Sequence, residues 1–199
     1  MNEPKNTTDE EQRQRYLTRA VELFGARSYE SVTTEELASA LRMSVEEFHE
    51  MFSSKFDLYV EGVRMVQSEV LAVMTFDEDM TFEQGLKIVV RNFIIYVSQK
   101  PTLFQALLSS GYQGGDRENV HSIVQETRDE MVRRIATKMG VPGDIPMIRL
   151  LIRGSIGFVE ATAIAWMEKG DLHLEQVIEL VNGALHTSLI PLAALFPKQ

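Results

Sequence analysis

No cysteine occurs among the 199 residues, which removes disulfides, thiolate nucleophiles and finger-type zinc sites in one step. Positive charge is scarce as well: 20 Lys and Arg stand against 29 Asp and Glu, a net charge of −9. A protein that displaces counterions from phosphates normally presents a basic face, so this balance opposes indiscriminate attraction to nucleic acid. Nothing of useful length alternates apolar and polar residues with period two, so strands are not expected. The apolar run over residues 88–97 is interrupted by Arg91 and Asn92 and is too short for a bilayer, and residues 1–11 have no signal-peptide pattern. A cytoplasmic chain with no membrane segment is the expectation. His49, His121, His173 and His186 have no metal-ligand spacing, and the glycines of residues 111–116 lack the Lys and Ser/Thr of a phosphate loop. With no nucleophile, metal or cofactor constellation, the sequence points away from an enzyme, and no cofactor or metal is expected.

What the chain does have is helical periodicity almost throughout, at 44% hydrophobic and 25% charged residues. Thr8 with Glu11, Thr33 with Glu36 and Ser44 with Glu47 each have the spacing in which a hydroxyl caps a helix and a glutamate reaches back to the cap. They predict three short helices: one from about residue 9 with Leu17, Ala20, Val21 and Phe24 inward, a second ending near Leu41, and a third carrying Val45, Phe48 and Phe52. Longer periods then predict helices over about 55–75, from 81, over 102–110, 117–139, 147–169 and 173–195, with a glycine loop at 111–116. The expected fold is all-α, about nine helices, with an N-terminal three-helix unit on a C-terminal helical body. The predicted division is a tail over 1–8, a three-helix unit over 9–57 and a larger helical domain over 58–199.

The segment 16–58 carries A-V-E-L-F at 20–24, Tyr29, T-T-E-E-L-A at 33–38, Ser44 at a helix start and F-S-S-K-F-D-L at 52–58. These landmarks resemble the DNA-binding domain of the tetracycline-repressor (TetR) family. The resemblance implies a helical homodimer with an N-terminal helix-turn-helix, a regulatory domain with a ligand cavity, and a dimer interface made by the last two helices of each subunit. It implies phosphate contacts at Thr33, Thr34 and Lys55 and a DNA-facing set that also includes Arg42, Ser44, Val45, Glu46, Glu47 and His49. In the third helix, Glu46, Glu47 and His49 stand where the family has a small residue, a hydroxyl residue and an aromatic. Residues 1–60 hold seven basic and twelve acidic side chains, a balance of −5. A glutamate can accept from cytosine N4 in the major groove. Three acidic residues in one short helix, Glu46, Glu47 and Glu50, predict weak or strongly salt-dependent binding. Glu47 also has a purely structural use as the partner of Ser44. Two readings stay open: a regulator that binds DNA and answers to a small apolar or aromatic effector, and a protein of the same fold that has lost direct DNA contact and works through a protein partner or ligand.

The aromatic and methionine residues of the middle helices suggest a pocket: Met65, Asn92, Phe93, Tyr96, Phe104, Tyr112, His121, Met131 and Trp166. Ordinary core is the competing use of each. The last two helices offer a bulky stripe, Ile152, Ile156, Val159 and Ala163, and a second one, Val177, Val181, Leu185 and Leu189. Together they look like more apolar surface than one chain covers, which predicts a homodimer seam.

Overall fold

The computed structural model describes residues 5–110 and 118–194. Within them the order is α1 (Lys5–Ala26), a single 3₁₀ turn (Tyr29–Ser31), α2 (Thr34–Leu41), α3 (Val45–Met51), α4 (Lys55–Val73), α5 (Phe82–Ser98), α6 (Pro101–Ser110), α7 (Glu118–Met139), α8 (Pro146–Lys169) and α9 (Leu174–Ala194). No strand occurs among the described residues. The glycine loop with Tyr112, and residues 1–4 of the expected tail, lie outside the described residues.

The chain divides into two compact units, one of Met1–Ser68 with Thr102–Ile123 and the other of Glu69–Pro101 with Val124–Gln199. In the first, α1 buries the expected stripe of Leu17, Ala20, Val21 and Phe24. The helix begins at Lys5, so Thr8 lies inside it rather than ahead of its first turn; the Thr8–Glu11 spacing is not a helix start. The other two capping boxes form as the spacing predicts. Thr33 Oγ1 accepts from the Glu36 N–H while the Thr33 N–H donates to Glu36, and Ser44 and Glu47 do the same at α3. Leu37, Phe48, Phe52 and Leu58 are fully buried and hold α2, α3 and the start of α4 together. Gly62 of α4 faces α1 closely enough that a Cβ there would meet a Val21 methyl at 2.9 Å, so a side chain at this crossing must displace Val21.

In the second unit α5 opens on a third capping box, Thr81 with Gln84. It buries Leu86, Val89, Val90, Phe93, Ile94 and Val97 against α8 and α9. Arg91 of α5 makes a bidentate pair with Glu175 of α9, both contacts at 2.7 Å. On α7 the Glu130 carboxyl is held down to about 2, first by its hydrogen bond to Arg133 and then by that to Arg134. Pro146 stands at the first turn of α8, where its missing N–H costs nothing.

With 24 residues α8 is long and apolar enough, by length and composition, to cross a membrane, which the broken apolar runs did not suggest. Its apolarity has a different layout from a lipid-facing helix. One face, Ile148, Ile152, Ile156, Val159 and Ala163, is buried within the chain, and that face also carries Glu160 in an ion pair. Arg149 and Arg153 interrupt the remainder.

Candidate functional site

Two regions have the features of sites, and each lies within one unit. The first is the face of α2, the following turn and α3. Arg42 closes α2 in the left-handed conformation, φ 62 and ψ 46, its N–H reaching Ala38 and Ser39 carbonyls. A residue with a Cβ gives up about 1 kcal/mol there, and the guanidinium it carries is exposed and makes no hydrogen bond or ion pair among the described residues. Phe48, fully buried, fixes the inner side of α3. Glu46, His49 and Glu50, spaced i, i+3 and i+4, therefore share its exposed outer side.

The carboxylates of this region divide into two kinds. Glu47 accepts the Ser44 N–H at 2.7 Å, so it is spent on the cap. Glu36 accepts the Thr33 N–H at 2.9 Å and pairs with Arg27, whose guanidinium and then that N–H hold the Glu36 carboxyl below the usual range. Glu46 and Glu50 have no such duty among the described residues and point outward.

Basic groups divide in the same way. Arg13 is clamped to Glu61 at 2.6 and 2.7 Å, Arg27 to Glu36, and Arg19 donates to the Ala40 carbonyl. Lys55, offered to phosphate by the family resemblance, turns inward instead. Its ammonium donates to the carbonyls of Tyr29 at 2.8 Å and Val32 at 2.6 Å and sits 4.1 Å from the centroid of the Tyr29 ring. The cause is the Tyr29–Ser31 turn, which aims carbonyls at the start of α4 and has no periodicity by which the sequence could announce it. Replacing Lys55 with alanine is expected to cost about 1.5–3 kcal/mol, the range for hydrogen bonds to a charged group, read as a lower urea midpoint in equilibrium unfolding. Arg15 and Arg42 are left as exposed cations, and Thr34 and Val45 sit half-exposed at the first turns of α2 and α3.

The second region is a cavity of about 30 Å³ in the other unit, lined from Met74 and from α5, α7, α8 and α9. Of the pocket residues expected from sequence, Phe93 and Met131 line it. The others among the described residues lie elsewhere. Asn92 is exposed, and the Tyr96 hydroxyl donates to Glu69, burial and that carboxylate holding the phenol well above its ordinary range. The Trp166 indole donates to the Leu172 carbonyl. Met65, Phe104 and His121 belong to the first unit, Met65 accepting from Gln14 at 3.0 Å and His121 keeping a buried Nδ1 with no partner among the described residues.

Much of the cavity wall comes instead from residues assigned to the dimer seam: Ile156, Val159, Leu185 and Leu189. All eight seam residues, these four with Ile152, Ala163, Val177 and Val181, are buried inside a single chain at 8% exposure or less. They are core, and the seam expectation is corrected accordingly. The surplus apolar surface is on the opposite side of α8 and on α9. Met147 and Leu150 are 72% and 73% exposed, Leu180 is 55% and Phe158 is 40%. Between the two helices runs an open apolar groove of about 550 Å³, lined by Met147, Leu150, Leu151, Gly154 and Phe158 among others. Ser155 and Leu185 line both this groove and the internal cavity.

A buried ion pair beside the cavity was not foreseen from sequence. Arg128 on α7 donates to Glu160 on α8 through Nε at 3.0 and 3.1 Å and Nη2 at 2.7 Å, with side chains 5% and 9% exposed. A signal existed: Arg128 falls between Val124 and Met131, and Glu160 between Ile156 and Ala163, so opposite charges occupy the inward positions of two helices.

Residues 17–61 match the family model for bacterial regulatory proteins of the tetR family, and residues 82–186 match the model for the tetracyclin repressor-like C-terminal domain. No curated protein matches the sequence at a significant level. Among solved structures, a tetR-family transcriptional regulator from Streptomyces coelicolor superposes with a TM-score of 0.82 at 23% identity, covering 94% of this chain and 83% of that one. A transcriptional regulator from Saccharomonospora viridis in complex with choline gives 0.75 at 16% identity, covering 89% and 96%. The regulator FadR from Bacillus subtilis in complex with stearoyl-CoA gives 0.69 at 15% identity, covering 88% and 98%.

Proposed function

Because the chain belongs to the tetR family of bacterial regulatory proteins, we propose that it is a homodimeric transcriptional regulator that contacts DNA through α2, its turn and α3 and is released or engaged by a small apolar effector. The observation that carries the reading is the α3 face itself. Its inner side is anchored by Phe48 and its outer side is left unpaired, which is the arrangement of an element held out for a partner. The cations that serve it are Arg15 and Arg42, with the first-turn N–H groups of α2 and α3 added. Glu46 is the base reader, at a cytosine N4 in the major groove.

The second unit supplies the regulatory half. Solved proteins of this fold hold choline and stearoyl-CoA, so small-molecule control is at home in the architecture. In this chain the carbon-rich wall of the cavity suits an apolar or aromatic molecule. Since Ser155 and Leu185 face both the cavity and the α8–α9 groove, an occupant that displaces them changes the surface on which a second copy docks. That gives the effector a route to the relative placement of two DNA-reading helices in a dimer.

With so few exposed cations, affinity for random DNA at physiological salt is expected to be weaker than the roughly 10⁻⁴ to 10⁻⁶ M of ordinary non-specific binding. Changing Glu46 and Glu50 together to glutamine removes two negative charges from the DNA-facing side and is expected to raise random-duplex affinity about tenfold. Fluorescence anisotropy with a labelled random duplex reads this directly. An unchanged affinity would place that face of α3 away from DNA.

A further inference from the structure

The cavity of the second unit has a charge balance that restricts its ligand, an inference that rests on the effector reading above. Its wall is almost wholly carbon, and the one charged group on it, Glu160, is already closed against Arg128 by contacts of 2.7 to 3.1 Å. A ligand carrying a carboxylate or an ammonium would bring an uncompensated charge into that wall. Opening the pair to serve the newcomer would cost the other member the buried contacts of 2.7 to 3.1 Å that it now has, so neither route recovers the lost hydration. An uncharged ligand meets neither cost. The remaining polar residue on the wall is Ser155, which also lines the open α8–α9 groove, so the cavity offers a ligand almost nothing but carbon.

Size follows from the same wall. At about 30 Å³ the cavity has room for little more than a water molecule, so any organic ligand must enlarge it. Met74 and Met131 both line it, and an unbranched thioether is the side chain that most readily changes rotamer to make room. We propose that this cavity is a site for a compact, uncharged, mainly apolar molecule, admitted by movement of Met74 and Met131, and that the closed Arg128–Glu160 pair excludes charged molecules of the same carbon skeleton.

Hexan-1-ol, hexanoate and hexylammonium share a carbon chain and differ in charge, and make the test on the full-length protein. With methyl-labelled methionine, hexan-1-ol should shift the Met74 and Met131 methyl signals saturably, at least tenfold more tightly than either ion. Assignment comes from Met74→Leu and Met131→Leu. The proposal is overturned if either ion moves those two signals as tightly as the alcohol does, if the alcohol saturates without moving them, or if none of the three binds. A DNA-binding arm separates this from the effector reading. Release of DNA by an ion that occupies the cavity would keep the effector reading and sink the proposal. Occupancy by the alcohol with no ligand able to change DNA affinity would do the reverse.

Discussion

Replacing Leu150 or Phe158 with arginine is expected to convert a dimer into a monomer while leaving the fold intact. Both side chains lie on the outer face of α8, 73% and 40% exposed, along the groove shared with α9. A second copy that covers this face would bury them at the centre of a self-complementary contact, where one charge on each chain meets its own symmetry mate. An arginine there must be desolvated or must push the helices apart, and central interface positions of this kind commonly cost 2 kcal/mol or more, roughly thirtyfold in association. Light scattering at micromolar concentration should then fall from twice 22.6 kDa to that single mass, with helical circular dichroism unchanged. Leu185→Arg is the instructive contrast. Leu185 is 3% exposed and lines the internal cavity, so the same change there should lower the melting temperature sharply instead of changing only the mass. An unaltered mass for both outer-face variants would remove the α8–α9 groove as the dimer contact.

The second large effect belongs to the buried ion pair. Glu160→Leu leaves Arg128 in the core without its carboxylate, and Arg128→Met leaves Glu160 without its guanidinium. Removing one member of such a pair is expected to cost about 3–5 kcal/mol, a large share of the 5–15 kcal/mol available to an ordinary domain. The double change Arg128→Met with Glu160→Leu should recover most of the loss, because two well-packed apolar side chains need no compensation. Equilibrium urea unfolding of the four proteins yields the coupling energy of the cycle. Additive losses, with the double variant as unstable as the sum of the singles, would show that the two groups do not act as a unit. The pair also has a functional consequence: the double variant loses the barrier to charge only by losing both charges, so it should still bind the neutral alcohol.

How far the sequence foretold this molecule depends on whether a feature is local. The capping boxes at Thr33–Glu36 and Ser44–Glu47 are contained in four residues and appear where the spacing put them, and with them the starts of α2 and α3, although α3 ends at Met51 and leaves Phe52, expected within it, as an extended C-cap. The family landmarks between 16 and 58 are likewise local, and the helix-turn-helix they imply is present. The face of α8 that its own chain leaves uncovered was not legible. Apolar residues recur on two sides of that helix, Ile152–Ile156–Val159 and Leu150–Gly154–Phe158, and helical period alone does not say which side its own chain will cover. Lys55 shows the same limit at one residue: a lysine at a helix start suits an anion, until the 3₁₀ turn and the residue that caps it supply the Tyr29 and Val32 carbonyls first. The cavity was half legible. Phe93 and Met131 were on the right faces, whereas Tyr96 and Trp166 found partners of their own within the unit.

Whether α3 reads DNA through a carboxylate is decided by selection of bound genomic fragments by the purified protein near physiological salt. Enrichment of one palindrome, with a cytosine in each half-site and half-sites about one helical turn apart, is the expected result. Arg42→Ala should weaken all fragments together, and Glu46→Gln should abolish the preference for that cytosine while random DNA is bound more tightly. Failure of the wild-type protein to enrich any fragment, with sequence-independent binding appearing only in the glutamine variants, would contradict that expectation.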